Sequence, residues 1–315
     1  MPQAETGKAL DINFLGPRKL FFAISAILIV ASITSVLTRG LNFGIDFTGG
    51  VLLEVGYPRA AELESIRGLL QESGYEGALV QNFGTATDVL VRLPPQAEGM
   101  DGSAIRDTVL GLLRQQEPEV DLRRVEFVGP QVGEELTEQG ALAMLFALLM
   151  ILAYVSFRFQ WKFSLGAVAA LAHDVIITIG IFSLFQIPFD LAVLAAILAV
   201  IGYSLNDTIV IFDRIRENFL RLRRETPERV MNVSLNQTLA RTIVTGLTTL
   251  LVLMALLFVG GDALYGFSIA LIIGIVVGTY SSIYIASATA LALNVSTVDL
   301  LPPQKEEDET LKELP

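Results

Sequence analysis

The sequence predicts a polytopic α-helical membrane protein, with six transmembrane helices and one external α+β domain of ferredoxin-like βαββαβ order. Three observations predict it. The chain has 315 residues, 52% of them hydrophobic, and a mean hydropathy of +0.58, too apolar for an ordinary soluble domain. Six apolar runs recur at about the length that crosses a bilayer. Between the first and second runs, from Gly40 to Leu136, sixteen Asp/Glu stand against seven Arg and no Lys, so a segment of different character is inserted there. Its acidity argues against nucleic-acid binding. Cysteine is absent, which excludes disulfides and thiolate metal sites.

The first 17 residues form a short polar lead. Arg18 and Lys19 precede an apolar run over 20–37, too long for a signal-peptide core and without a small-x-small cleavage site after it. It reads as an uncleaved first span, 18–38. GIDFTGG, 44–50, is a Gly-rich turn without the Lys and following helix of a phosphate loop, so nucleotide binding is rejected there. Alternation predicts strands over 51–57, 78–83, 89–93 and 122–128, with a connection over 84–88. Helical periodicity places Leu63, Ile66, Leu69 and Leu70 on one face of 61–73, and Ile105, Val109, Leu112 and Leu113 on one face of 103–116. The order is βαββαβ, the split ferredoxin-like unit, and 39–136 is its domain. No catalytic constellation shows in it.

Five further apolar runs cover 141–157, 163–185, 191–212, 239–259 and 264–293, within a bundle at 137–296. Arg158 and Lys162 flank the loop after the second span, and six Arg (214, 216, 221, 223, 224, 229) lie in a loop at 213–229. The loops 186–190 and 260–266 carry neither Lys nor Arg. The positive-inside rule then makes both termini, the Arg-rich loop and the charged tail 297–315 cytosolic, and puts the ferredoxin-like domain outside. Arg39 alone runs against this. Gly274 and Gly278 form a G-x-x-x-G pattern that allows close helix approach.

Ionisable groups enter the apolar runs at three places. In GYSLNDTIVIFDRIREN, 202–218, Asn206 and Asp207 appear before the apolar run ends at Phe212. A carboxylate there faces the protein interior and marks an ion or proton path, or else makes a structural polar contact between helices. Arg241 shares a helical face with Gln237, Thr245 and Thr248 in the fifth span, antiparallel to the fourth. It can pair with Asp207 at similar depth, or snorkel to the interface. His173 and Asp174 fall near mid-membrane in the third span. Neighbours on a helix point about 100° apart, so the two are not expected to form one site by themselves. With one His in the chain a zinc site is not expected. No Walker loop, Ser-His-Asp set or metal cluster appears, so the chain does not read as an enzyme and implies no cofactor.

GIDFTGG, VEFVGPQVGEEL, AHDVIIT, GYSLNDTIVIFDRIREN and LNQTLARTIVTG, in this order and spread over nearly the whole chain, resemble the SecF family of the bacterial Sec export system, within the resistance-nodulation-division superfamily. The resemblance implies an inner-membrane, multi-pass subunit with a periplasmic domain. It would act as an obligate heteromer with SecD beside the SecYEG channel and its associated membrane subunits. The resemblance further implies that the proton motive force promotes export of unfolded polypeptide. Asp207 and Arg241 match positions of the family's proton path, with Asp174 and Asn206 as further candidates, and an essential partner carboxylate is expected on SecD. A proton-driven small-molecule exporter of the same superfamily is the alternative. It predicts an apolar cavity and usually a second repeat of spans and external domain.

Overall fold

The computed structural model describes residues 11–95 and 102–296, apart from the side chains of 262 and 263. The first ten residues of the polar lead and the tail 297–315 lie outside the described residues. Among the described residues, six helices are long and apolar enough to cross a membrane. They are α1 (Arg18–Arg39), α5 (Pro130–Arg158), α6 (Trp161–Phe185), α7 (Leu191–Arg221), α8 (Pro227–Val259) and a composite last helix. That helix runs as α9 (Asp262–Ser281), a π-helical turn (Ser282–Ala286) and α10 (Ser287–Ala292). A π turn inserts an extra residue and often marks a functional position.

The inserted domain folds as its periodicities dictate. Strands β2 (Gly50–Gly56), β3 (Leu79–Phe83), β4 (Thr85–Leu93) and β5 (Asp121–Val128) pair antiparallel in the order β3-β4-β2-β5. With α3 (Leu63–Glu72) and α4 (Gly102–Gln116) this is the ferredoxin-like arrangement. Val51, Leu53 and Val55 of β2 pack with Ile66, Leu70, Ile105, Val109 and Leu113 of the two helices. The alternate residues Leu52 and Glu54 line the opposite face, as a period of two requires. One expectation is corrected: the 84–88 connection shrinks to Gly84 at φ +73°, because Thr85 to Asp88 already belong to β4. Thr85 Oγ1 donates to Asp88 Oδ2 at 2.7 Å, which holds the chain extended there.

GIDFTGG forms the junction between domain and bundle. Gly44 leads into α2, a single turn (Ile45–Thr48), and Gly49 and Gly50 have φ of +69° and +119°. A Cβ on Gly50 would meet the carbonyl oxygen of Leu93 at 2.2 Å, so only glycine fits. Just before this turn, β1 (Asn42–Phe43) pairs in parallel with β6 (Pro188–Phe189) in the connection between α6 and α7.

Within the bundle, α9 lies against α7 through its glycines. Gly274 meets Val200, and Gly278 meets Ser204. Gly180 of α6 likewise accepts Ser32 of α1. Such stripes let backbones approach without a side chain between them. The Arg-rich segment 213–229 departs from the loop expectation, since α7 continues to Arg221 and α8 begins at Pro227, leaving 222–226 between them. Ion pairs stabilise the extra turns: Arg158 grips Asp213 at 2.6 Å, and Arg214 and Arg221 both reach Glu217 at 2.7 Å. Phe14 and Leu15 of the lead are buried, and the Leu15 amide donates to Asn232 Oδ1 at the start of α8.

Candidate functional site

Asp207 occupies the middle of α7, partly buried where α8 and the last helix close over it. Thr242 of α8 donates to its Oδ1 at 2.6 Å, and Ser282, the first residue of the π turn, donates to its Oδ2 at 2.6 Å. Two hydroxyls thus satisfy both oxygens, as a carboxylate withdrawn from water requires.

The expected partner is displaced. Arg241 makes no ion pair with Asp207; its side chain is exposed on α8 and borders a cleft of about 310 Å³ with Asp213, Arg214, Glu217 and Gln237. The pairing expectation is therefore corrected to a hydroxyl pair. Thr242, next in sequence to Arg241, faces inward, while Arg241 itself is turned about 100° away. The stripe Gln237, Thr245 and Thr248 does not converge on Asp207 either. Thr245 and Thr248 bond backbone carbonyls of their own helix, and Gln237 accepts from Asn218. Asn206 is exposed on the outer face of α7, beside Asp207 in sequence and apart from it in space.

Asp174 and His173 form a second, more enclosed centre, at 1% and 2% exposure. Contrary to the expectation for helix neighbours, they hydrogen-bond each other, His173 Nδ1 to Asp174 Oδ1 at 2.9 Å. His173 also stacks on Tyr280 of α9, with ring centroids 5.8 Å apart. Ser204 and Ser281 donate to Asp174 Oδ2 at 2.5 and 2.8 Å. Ser25 of α1 meets His173 Nε2 at 3.1 Å. Sequence reasoning missed Thr242, Ser204, Ser281, Ser282, Ser25 and Tyr280. The one visible signal was the hydroxyl run Thr279 to Ser282 inside an apolar stretch. Among the described residues no His/Cys/Asp/Glu group could hold a metal ion.

Beneath the domain lies a third polar place. A cavity of about 180 Å³ separates the sheet from the bundle and is bordered by Glu54, Arg92, Glu126, Asp46 and Asp190. Asp190 Oδ1 caps α7 by accepting from Val193 N at 2.8 Å, and Asp46 Oδ2 accepts from Leu191 N at 2.9 Å. Burial, with lesser contributions from the Asp46 and Glu126 charges, pushes the Asp190 carboxyl above its ordinary range, although its backbone hydrogen bonds oppose the shift.

Six membrane-length helices around two enclosed carboxylates, with a ferredoxin-like domain at one end, define a multi-pass membrane transport component. Comparison with known proteins makes this particular. The family described as "Protein export membrane protein SecD/SecF, C-terminal" matches residues 108–296, and the "SecD/SecF GG Motif" matches 34–57. The protein translocase subunit SecF of Pseudomonas aeruginosa is 55% identical over 296 residues, covering 93% of this chain and 95% of that protein. The subunit of the same name from Escherichia coli O157:H7 is 47% identical over 288 residues, covering 91% and 89%. The crystal structure of SecDF, a translocon-associated membrane protein from Thermus thermophilus, aligns with a TM-score of 0.82 at 40% identity and covers 90% of this chain. This chain spans 39% of that longer one. The chain belongs to the SecF family of protein translocase subunits.

Proposed function

We propose that this chain forms a proton-coupled unit with SecD that uses the proton motive force to promote polypeptide export beside the SecYEG channel of the inner membrane. The observation that carries the reading is Asp207, a carboxylate held by two hydroxyls at membrane depth. Charged groups at such depth are costly on an isolated helix and belong to ion or proton paths. Arg241 keeps its charge throughout; it is turned away from Asp207 here, and a helix shift that brings it in is the switch. Asp207 is the carrier, Arg241 the switch, and Asn206 and Asp174 border the path. One charge crossing about 100 mV supplies about 2.3 kcal/mol, enough to bias a helix rearrangement.

The partnership with SecD is supported by the exposed polar stripe. Asn206 and Arg241 are exposed within apolar helices, where lipid would leave their polar ends unsolvated. A partner helix carrying a carboxylate covers them and pairs Arg241. The solved SecDF chain, of which this one spans 39%, leaves room for such a partner. Lys and Arg placement supports cytosolic termini, a periplasmic domain at 39–136 and a cytosolic 213–229 segment. The exporter reading is disfavoured by the lining of the cavity under the domain, where Asp46, Glu54, Arg92, Arg124, Glu126 and Asp190 stand in place of a mostly apolar wall.

The test is Asp207→Asn in the complex with SecD, which preserves shape and removes titration. The variant assembles normally and loses the gradient-dependent part of export in membrane vesicles. Full gradient-dependent export by the assembled variant excludes Asp207 as the carrier.

A further inference from the structure

The proton count of the His173–Asp174 pair follows from its hydroxyl neighbours. Tyr280 Oη lies 2.8 Å from the carbonyl oxygen of Phe21, which can only accept, so its one hydrogen is donated there. Ser25 Oγ, 2.8 Å from Tyr280 Oη, must then donate in that contact. Its only hydrogen is now used, and the 3.1 Å contact with His173 Nε2 is donated by the imidazole. The remaining contact, Nδ1 to Asp174 Oδ1 at 2.9 Å, needs a hydrogen of its own. It resides on Nδ1, giving imidazolium against carboxylate, or on Oδ1, giving imidazole against carboxylic acid. Both arrangements carry the same number of protons and no net charge. A pair enclosed at 1–2% exposure in a medium of low dielectric favours that neutrality.

The groups facing the pair are Ser25 of α1, Ser204 of α7, and Tyr280 and Ser281 of α9. Tyr284 of the π turn packs behind Tyr280, and Asp207 lies beyond Ser282. Among the described residues the hydrogen-bond partners of the pair are therefore all hydroxyls.

We propose that His173 and Asp174 are a second proton-binding site, resting in a net-neutral state, and that Ser25 and Tyr280 are its proton wire. Release runs along the contacts. The Nε2 proton passes to Ser25 Oγ as Ser25 passes its own to Tyr280 Oη, and Tyr280 passes its own to a water beside Phe21. The pair is left as an Nδ1-protonated neutral imidazole donating to an ionised Asp174. Ser25 then donates to Nε2, Tyr280 donates to Ser25, and Tyr280 loses its bond to the Phe21 carbonyl. Proton occupancy at α6 is in this way linked to the α1–α9 contact. The inference goes beyond Asp207 and holds whether or not Asp207 carries the transported proton.

His173 is the chain's one histidine, so its imidazole signals are read without ambiguity. The full chain, without a polyhistidine tag and with isotope-labelled histidine, is placed in lipid nanodiscs, and nitrogen chemical shifts assign the hydrogens on each ring nitrogen. The expected wild-type spectrum has hydrogen on Nε2 near neutral pH. A spectrum with hydrogen on Nδ1 alone overturns the proton count, and this measurement needs no variant. For the wire, the Nε2 hydrogen exchanges with solvent in the wild type and loses that exchange in Ser25→Ala and Tyr280→Phe. Unchanged exchange in a folded Tyr280→Phe overturns the wire. His173 signals that match in position across wild type and variants, while exchange alone slows, separate a transfer role from a packing role.

Discussion

Ser281 and Ser282 are consecutive, yet their hydroxyls serve different carboxylates, Ser281 donating to Asp174 at 2.8 Å and Ser282 to Asp207 at 2.6 Å. Neighbours on a helix diverge by about 100°, so one turn of the last helix can face two centres. The π turn begins at the second of these two serines.

Removing the donors to Asp207 tests the geometry. Ser282→Ala and Thr242→Val each strip one hydrogen bond, and each lowers stability by about 1–3 kcal/mol. The double variant loses more than the sum, because the carboxylate is then left without a donor. Thermal melts of the purified protein measure this, and strict additivity would show that the two hydroxyls do not share one acceptor.

Close approach of α9 to α7 is the next target. A Cβ on Gly274 would lie 2.1 Å from Val200 Cγ2. Gly274→Ala is expected to destabilise by about 1–3 kcal/mol through overpacking. Val200→Ala added to it restores most of the loss, since it removes the obstructing methyls. Melting midpoints of the four variants in the cycle check this; failure of the second change to rescue would place the strain elsewhere.

Asp190 gives a pH dependence with a defined sign. Burial raises its folded-state pKa above the ordinary carboxylate value. Between those two values the folded chain holds more protons than the unfolded one, so this contribution is present at lower pH and is lost as pH rises through the folded value. Asp190→Asn keeps the helix cap and abolishes that dependence. Asp190→Ala also loses the cap to Val193 N and costs about 0.5–2 kcal/mol. Melting midpoints against pH decide it; an unchanged pH slope in Asp190→Asn would assign the dependence to another group.

Orientation in the membrane is tested by proteolysis of intact spheroplasts. Cleavage from the outside is expected only between Arg39 and Leu136. The 222–226 connection between α7 and α8, which follows Arg221 and contains Arg223 and Arg224, is cut only after the membrane is opened. Cutting there in sealed cells would reverse the topology.

Hydropathy and periodicity made much of this fold legible. The six spans and the βαββαβ order follow from apolar length and from alternation, because burial in lipid or against one sheet face constrains every second or every third to fourth residue. Asp207 and Asp174 were legible for a related reason, since a carboxylate in an apolar run needs a partner. The partners were not. Thr242, Ser204 and Ser282 are small hydroxyls that sit in membrane helices at little cost and leave no mark on periodicity. The Asp207–Arg241 pairing failed on helix phase, as one residue of rotation brings Thr242 to Asp207 and turns Arg241 out. The His173–Asp174 bond was hidden because side-chain torsions, and not the 100° between Cα positions, set where two neighbouring polar tips meet.

The parallel pairing of Asn42–Phe43 with Pro188–Phe189 has a mechanical meaning. The domain does not hang from one tether. Its root is stitched to the connection that opens α7, and Asp46 holds the amide of Leu191, the first residue of that helix. From Leu191 to Asp207 the helix is unbroken, a rod of about 24 Å at about 1.5 Å per residue. The root of the domain and Asp207 are thereby joined through one continuous helix. Between these two ends the helix is gripped at Val200 and Ser204, where Gly274 and Gly278 of α9 let the backbones meet.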